Sequence, residues 1–128
     1  MNTLKDSLSK NMKSYRYAGK GILHALIFEN NFRYQVIAAI AIITLSIILN
    51  ISKIEWIIVT VMIGFVFTAE LFNTAMENLC DHLHPHEHTA IGLVKDIAAG
   101  AVLVAAITAV ITGLIIFLPK VIHQNPLF

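Results

Sequence analysis

The chain has 128 residues, of which 57% are hydrophobic and only 13% are charged, and its formal net charge at pH 7 is +1. A soluble domain of this length needs more polar surface than this composition provides, because most of its residues lie near water. The composition therefore excludes an ordinary soluble domain and predicts a single membrane domain over residues 1–128. The total charge does not identify a partner, and no nucleic-acid partner is expected.

Residues 1–29 are predicted to form a basic amphipathic helix. Its apolar residues recur at helical spacing, at Leu4, Leu8, Met12 and Tyr15. Its basic residues are interspersed among them, at Lys5, Lys10, Lys13, Arg16 and Lys20. Such a helix lies in the membrane surface and is attracted to anionic headgroups. An ordinary solvated helix packed on the bundle is also compatible with this pattern, and Gly19 and Gly21 are expected to loosen its middle.

Three apolar segments are predicted to cross the membrane as helices, at about residues 34–51, 54–77 and 97–118. A hydrocarbon core about 30 Å thick requires roughly 20 residues of helix. A polar break over residues 28–33 precedes the first span, and a tight turn at residues 50–53 follows it. A His-rich loop over residues 81–89, broken by Pro85, precedes the third span, which is expected to end at Pro119.

The distribution of positive charge predicts the orientation of these spans. Six of the nine Lys and Arg residues precede the first span. Because cytoplasmic segments carry the excess of Lys and Arg, the N-terminus is expected in the cytoplasm. The chain is then a multi-pass protein of the bacterial cytoplasmic (inner) membrane, with the His-rich loop on the cytoplasmic side.

Polar residues interrupt the second span near its cytoplasmic end. They recur at i, i+3, i+7 and i+11 and so share one helix face: Glu70, Asn73, Glu77 and Asp81. Glu70 follows Ile54 by 16 residues, about 24 Å of helix, which places it just beneath the surface of the hydrocarbon core. An acid inside a membrane helix costs roughly 2.5–3.5 kcal/mol on insertion scales. A plain helix leaving the lipid explains Asp81 but not Glu70, so a function is favoured for Glu70.

Charged residues of other segments are expected at the same depth. Glu29 precedes the first span, and Lys95 with Asp96 begins the third. A carboxylate just beneath the surface can accept a proton from a lipid hydroxyl. Glu29 and Glu77 are hard oxygen ligands suited to Mg²⁺, and Lys95 supplies a point charge for a phosphate. Together they predict phosphoryl transfer at a membrane surface, without the nucleotide-binding motifs of soluble kinases.

Two motifs carry a resemblance to a known family. The sequence AELFNTAME at 69–77, followed by Asp81 and by VKDIAAGAVL at 94–103, resembles the small bacterial integral-membrane diacylglycerol kinases, a family that includes undecaprenol kinases. The resemblance runs from about residue 15 to 118 and includes Tyr17, Lys20, Gly21, Glu29, Phe32 and Arg33. It implies an all-α homotrimer with three spanning helices and one surface helix per chain. It also implies transfer of the γ-phosphate of ATP to a membrane lipid alcohol.

The resemblance also implies roles for individual residues. Glu70 matches the catalytic base, and Asn73 helps to order the site. Glu29 and Glu77 match the acids that hold the Mg²⁺ ions of the nucleotide. The expected nucleotide contacts are Tyr17, Glu29, Glu77, His88, Lys95 and Asp96. The lipid substrate is expected to run along Phe32, Arg33 and Glu70. The sites are expected to form between neighbouring chains.

The chain departs from the family pattern in the His-rich loop and near the expected lipid entrance. His86 stands where the family often has an acid, and Phe28 and Asn30 differ from many members. Diacylglycerol, giving phosphatidic acid, is slightly favoured as the substrate, and undecaprenol remains the alternative.

Four alternating histidines leave a different class of function open, at His82, His84, His86 and His88. Imidazole is a common Zn²⁺ ligand, so a non-enzymatic membrane protein with a metal-binding loop is the competing hypothesis. A solvated loop is favoured over a nucleotide contact, and a specific metal site ranks last.

Overall fold

Four helices make up almost all of the computed structural model, which describes residues 2–84, 86 and 88–124. They are α1 (Asn2–Phe28), α2 (Asn30–Ile48), α3 (Lys53–Leu83) and α4 (Thr89–Gln124). None of the described residues lies in a strand. The all-helical prediction is therefore confirmed.

Three of these helices are long and apolar enough to cross a membrane, namely α2, α3 and α4. This confirms the predicted number of membrane helices and makes the chain a membrane protein. The described side chains of α1 from residue 9 to residue 24 are all exposed. A location of α1 in the membrane surface stays a prediction.

The breaks between helices are shorter than hydropathy indicates. Glu29 alone separates α1 from α2, with φ −102° and ψ 113°, so the polar break predicted over residues 28–33 is wrong. Neither Gly19 nor Gly21 interrupts α1. Polar residues can extend a helix beyond the lipid because its backbone hydrogen bonds are made within the segment. The limits of an apolar run therefore do not mark the limits of a helix.

The His-rich loop is also shorter than predicted, because helices extend into it from both sides. Helix α3 continues to Leu83 and α4 begins at Thr89, so the loop predicted over residues 81–89 is confined to residues 84–88. His84 ends α3 in an extended conformation, with φ −138° and ψ 89°. A residue before proline is disfavoured in the helical region, which accounts for the end of α3 at this position. Pro85 itself lies outside the described residues.

Helix α4 contains Pro119, so the prediction that the third helix ends there is wrong. Proline removes one backbone hydrogen bond, and a helix that continues past it must compensate. Lys120 Nζ lies 3.2 Å from Glu55 Oε2, and this ion pair ties the turn after Pro119 to the start of α3. The segment after Lys120 is predicted from the sequence to be a poorly ordered tail, and this is wrong for residues 121–124, which continue α4. Residues 125–128 lie outside the described residues.

A small apolar cluster closes the α2–α3 end of the bundle. It consists of Leu49, Ile51, Val59, Ile116 and Phe117. Helix α3 begins beside it with a capping box: Ser52 Oγ accepts from the Glu55 backbone N–H at 3.3 Å, and Glu55 Oε2 accepts from the Ser52 N–H at 2.7 Å. This cap satisfies backbone donors that the first turn of a helix leaves unpaired. The cap and the cluster together define the turn between α2 and α3.

The turn also contains Asn50, whose φ of 47° lies in the left-handed region. Asparagine tolerates this conformation, whereas a β-branched residue there is a genuine outlier. We expect Asn50→Val to destabilise the chain by about 1–2 kcal/mol, the cost of a left-handed conformation. Thermal unfolding in detergent measures it, with Asn50→Gly as the matched control. Equal melting temperatures for the two variants would contradict a strained turn.

Candidate functional site

A buried carboxylate lies at the centre of the site. Glu70 on α3 is only 2% exposed, and its Oε2 accepts a hydrogen bond of 2.6 Å from Gln35 Nε2 on α2. A buried charged or polar group needs such a partner, because leaving it unpaired costs several kcal/mol. The Gln35–Glu70 bond therefore ties α2 to α3 at this level of the bundle.

Sequence reasoning assigned no functional role to Gln35. Gln35 lies inside the first predicted span. A polar amide inside an apolar helix is a signal that could have marked it as a site residue. Its Oε1 atom is buried and has no hydrogen-bond partner among the described residues. Gln35 thus donates to Glu70 and keeps a free acceptor beside it.

The next residues of the polar face form a second amide–carboxylate pair. Asn73 is 5% exposed, and its Nδ2 donates to Glu77 Oε1 at 3.0 Å. The two residues are four apart, the spacing at which side chains on one helix face meet. Like Gln35 Oε1, Asn73 Oδ1 is buried and accepts no hydrogen bond within the part of the chain that the structure describes. The site therefore holds two oriented carboxylates and two free amide oxygens.

A third carboxylate approaches this pair from the junction of α1 and α2. Glu29 is half-buried, and both Glu29 and Glu77 lie within electrostatic range of Glu70. Within the described part of the chain, no group of three or more His, Cys, Asp or Glu side chains is placed to hold a metal ion. Mg²⁺ usually binds proteins through one or two carboxylates and takes its remaining ligands from water and phosphate. Glu29 and Glu77 fit that donor set.

A cation joins the site from α4. Lys95 Nζ lies 2.8 Å from Asp81 Oδ1 and is also within electrostatic range of Glu77. Asp81, the last member of the polar face, therefore pairs with Lys95, a contact that the sequence did not predict. The pair joins the last turns of α3 to the first turns of α4.

Other predicted site residues lie apart from the carboxylates in a single chain. Tyr17, His88 and Asp96 are exposed, and no hydrogen bond or ion pair connects them to Glu70 or Glu77 among the residues that the structure describes. Arg33 is also exposed and donates to Asn30 Oδ1. The structure thus brings together only part of the predicted nucleotide site.

An apolar cavity opens from the site into the bundle. It measures about 590 Å³ and is lined by α2, α3 and α4. Gln35 and Phe67 line it near the site, and Phe117 lines its far end. Phe32, which is buried, packs on Phe67 with ring centroids 5.3 Å apart. A cavity of this size is typical of ligand pockets, and its lining suits a hydrocarbon chain.

Comparison with known proteins decides the family. The sequence model of the prokaryotic diacylglycerol kinases matches residues 16–117. The chain belongs to this family. Its membership confirms the resemblance inferred from the two motifs and makes the chain a lipid kinase, with ATP as the phosphoryl donor.

Characterised relatives fall under two names. An undecaprenol kinase of Bacillus subtilis is 40% identical over 116 residues, which cover 91% of this chain and 94% of that protein. A diacylglycerol kinase of Synechocystis is 36% identical over 110 residues, covering 85% of this chain and 63% of that protein. A diacylglycerol kinase of Escherichia coli is 30% identical over 105 residues, covering 82% of this chain and 86% of that protein. None of these comparisons supports the non-enzymatic alternative.

The contact between Gln35 and Glu70 generates a prediction for this lipid kinase. A hydrogen bond to a charged group contributes about 1.5–3 kcal/mol, so Gln35→Leu should lower kcat roughly ten- to hundredfold if Glu70 must be held in place. The loss should largely vanish in a Glu70→Gln background, because the group being positioned is then absent. Steady-state kinetics of the two single variants and the double variant test this. Fully additive losses would show that Gln35 acts independently of Glu70.

Proposed function

We propose that the chain is an undecaprenol kinase that transfers the γ-phosphate of ATP to the hydroxyl of undecaprenol. The observation that carries this proposal is the buried Glu70 carboxylate, whose hydrogen-bond partner Gln35 lines an apolar cavity. An alcohol with a hydrocarbon chain can present its hydroxyl to Glu70 while its chain remains among apolar side chains. Residues 1–128 then form one membrane-embedded kinase domain.

The preference for undecaprenol rests on the relatives. The 40% identity to an undecaprenol kinase extends over 94% of that protein. The diacylglycerol kinases are 36% and 30% identical. This reverses the slight preference for diacylglycerol that the residues alone suggested. Diacylglycerol remains the second candidate, because the family model carries its name and the site chemistry suits either alcohol.

In the proposed reaction Glu70 is the general base. It accepts the proton of the lipid hydroxyl while the hydroxyl oxygen forms a bond to the γ-phosphorus of ATP. The bond from that phosphorus to the β–γ bridging oxygen breaks, and ADP leaves with the electron pair. Gln35 holds the Glu70 carboxylate in one orientation through its 2.6 Å hydrogen bond. The other oxygen of Glu70 remains available to the substrate.

Glu29 and Glu77 would hold Mg²⁺, as the chemistry of their oxygen donors suits that ion. When bound, the ion supplies positive charge that offsets the charge of the phosphate oxygens. Asn73 orients Glu77 by donating to its Oε1. The polar face of α3 thus serves the lipid at Glu70 and the nucleotide at Glu77, about two helical turns apart.

The nucleotide would occupy the cytoplasmic side of these carboxylates. Lys95 would neutralise phosphate charge, and its present partner Asp81 keeps the ammonium group directed toward the site. Tyr17, His88 and Asp96 are the further nucleotide contacts that the family resemblance implies. Phe32 and Arg33 lie in the first turn of α2, where that resemblance places the lipid.

Assembly into a homotrimer would complete the site. In one chain Tyr17, His88 and Asp96 remain apart from the carboxylates, so a neighbouring chain can supply contacts that a single chain lacks. The number three comes from the family resemblance. The exposed apolar side of α1 supports a location in the membrane surface, and the excess of Lys and Arg before α2 supports a cytoplasmic N-terminus and active site.

Parallel assays of the two alcohols test the proposed substrate. With ATP and Mg²⁺ in mixed micelles, we expect a higher kcat/KM for undecaprenol than for diacylglycerol. Glu70→Gln should lower turnover of both by about 10²–10⁴-fold, the contribution of a general base. A higher kcat/KM for diacylglycerol would identify diacylglycerol as the preferred substrate and would leave the proposed mechanism unchanged. Turnover of Glu70→Gln close to that of the wild type would remove Glu70 from the role of base.

Metal dependence tests the roles of Glu29 and Glu77. Each change to Gln removes one charged oxygen ligand, so each variant should need a higher Mg²⁺ concentration for half-maximal activity. Glu55→Gln is the matched control, because Glu55 lies at the opposite end of α3 and pairs with Lys120. An unchanged Mg²⁺ requirement in both site variants would contradict shared metal binding.

A further inference from the structure

Two imidazole rings lie close together between α3 and α4. The ring centroids of His84 and His88 are 5.5 Å apart, and the ring planes are inclined by 33°. Both side chains are exposed. The pair therefore lies outside the buried carboxylate site, and both rings are on the surface of the chain.

The backbone on both sides of this pair is held by the helices. The His84 N–H donates to the Cys80 carbonyl at 2.9 Å and so belongs to the end of α3. The His88 carbonyl accepts from the Gly92 N–H at 2.9 Å and so belongs to the start of α4. The Lys95–Asp81 ion pair joins the same two helices nearby. The separation of the rings is thus set by the packing of α3 against α4.

We propose that His84 and His88 bind one transition-metal ion, of the Zn²⁺ class, across this loop. A Zn²⁺–N bond is about 2.0–2.1 Å, so two imidazoles on one tetrahedral ion have ring centres about 5 Å apart. The observed separation of 5.5 Å is close to that value. Two rings at this distance can become ligands of one ion once a nitrogen of each ring is directed toward it.

The composition of the site determines which ion it accepts. Imidazole nitrogen suits zinc, copper and nickel, whereas Mg²⁺ prefers oxygen ligands. Among the described residues, no third His, Cys, Asp or Glu side chain completes a metal-binding group. Water or a donor from outside the described residues would fill the remaining coordination positions. The site is distinct from the Glu29 and Glu77 pair and does not compete with it for Mg²⁺.

A bound ion would weaken nucleotide binding to the kinase, and this effect rests on the proposed function. His88 is one of the expected nucleotide contacts, and metal binding would occupy its imidazole. The ion would also tie the end of α3 to the start of α4, the helix that carries Lys95 and Asp96. Zn²⁺ should therefore raise the apparent KM for ATP at saturating Mg²⁺.

Binding is tested without any assay of activity. The full chain, freed of any affinity tag and of metal by chelation, is titrated with Zn²⁺ in detergent against a chromogenic chelator. We expect one ion per chain. His84→Ala and His88→Ala should each weaken Zn²⁺ affinity at least about tenfold, the loss that even an indirect change near a metal typically causes. His82→Ala is the matched control and should bind within about twofold of the wild type, since His82 lies on α3 outside the pair.

Several outcomes would overturn the assignment. Wild-type affinity in both His84→Ala and His88→Ala would remove the pair as ligands. An equal loss in His82→Ala would indicate diffuse binding by the His-rich segment. Melting temperatures of the metal-free variants identify any that fold poorly. If one of the two variants does, the Zn²⁺ affinity of the other tests the assignment. The chelator assay needs no catalysis, so failure of the proposed kinase function would not affect it. A KM for ATP that Zn²⁺ raises equally in wild type and His84→Ala would reject control through this site.

Discussion

Burial of the Glu70 carboxylate is the constraint on which the rest of the site depends. A carboxylate in an apolar bundle is costly unless it is hydrogen-bonded, and its partner here comes from another helix. Gln35 on α2 reaches Glu70 Oε2 at 2.6 Å, so α2 must pack on α3 in the register that allows this bond. Phe32, one turn earlier on α2, packs on Phe67 of α3 in the same register. The polar contact and the aromatic contact are thus made in the same packing register of α2 against α3.

Ion pairs mark both ends of the α3–α4 hairpin. Glu55 meets Lys120 at one end, and Asp81 meets Lys95 at the other. Both pairs remain partly open to solvent, and ion pairs near the surface contribute only about 0–1 kcal/mol, so they do not by themselves hold the hairpin together. Close packing does more, as Ala105 in the middle of α4 is fully buried and small residues let membrane helices approach closely. The packing sets the register, and the ion pairs then place Lys95 beside the carboxylates.

Much of this architecture was predictable from the sequence, and the failures share a physical cause. Hydropathy located α2, α3 and α4, and the spacing of Glu70, Asn73 and Glu77 predicted a shared polar face. The helix ends differ from the predicted ones because hydropathy shows only how far the apolar segment extends. A helix continues as far as its backbone hydrogen bonds are made. Gln35 was missed because periodicity describes one helix at a time and cannot show which residues meet between helices. The pairing of Lys95 with Asp81 was missed for the same reason.

Two buried amide oxygens at the site have no hydrogen-bond partner among the residues that the structure describes. Gln35 Oε1 and Asn73 Oδ1 are buried without partners, and each such group costs about 1–3 kcal/mol. Each amide already donates its N–H to a carboxylate, so each oxygen can only be satisfied by a donor from outside the described side chains. Water, a substrate or a second chain that supplies this donor recovers the cost. The hydrogen bonds that position the carboxylates therefore also leave two acceptors directed at whatever binds beside them.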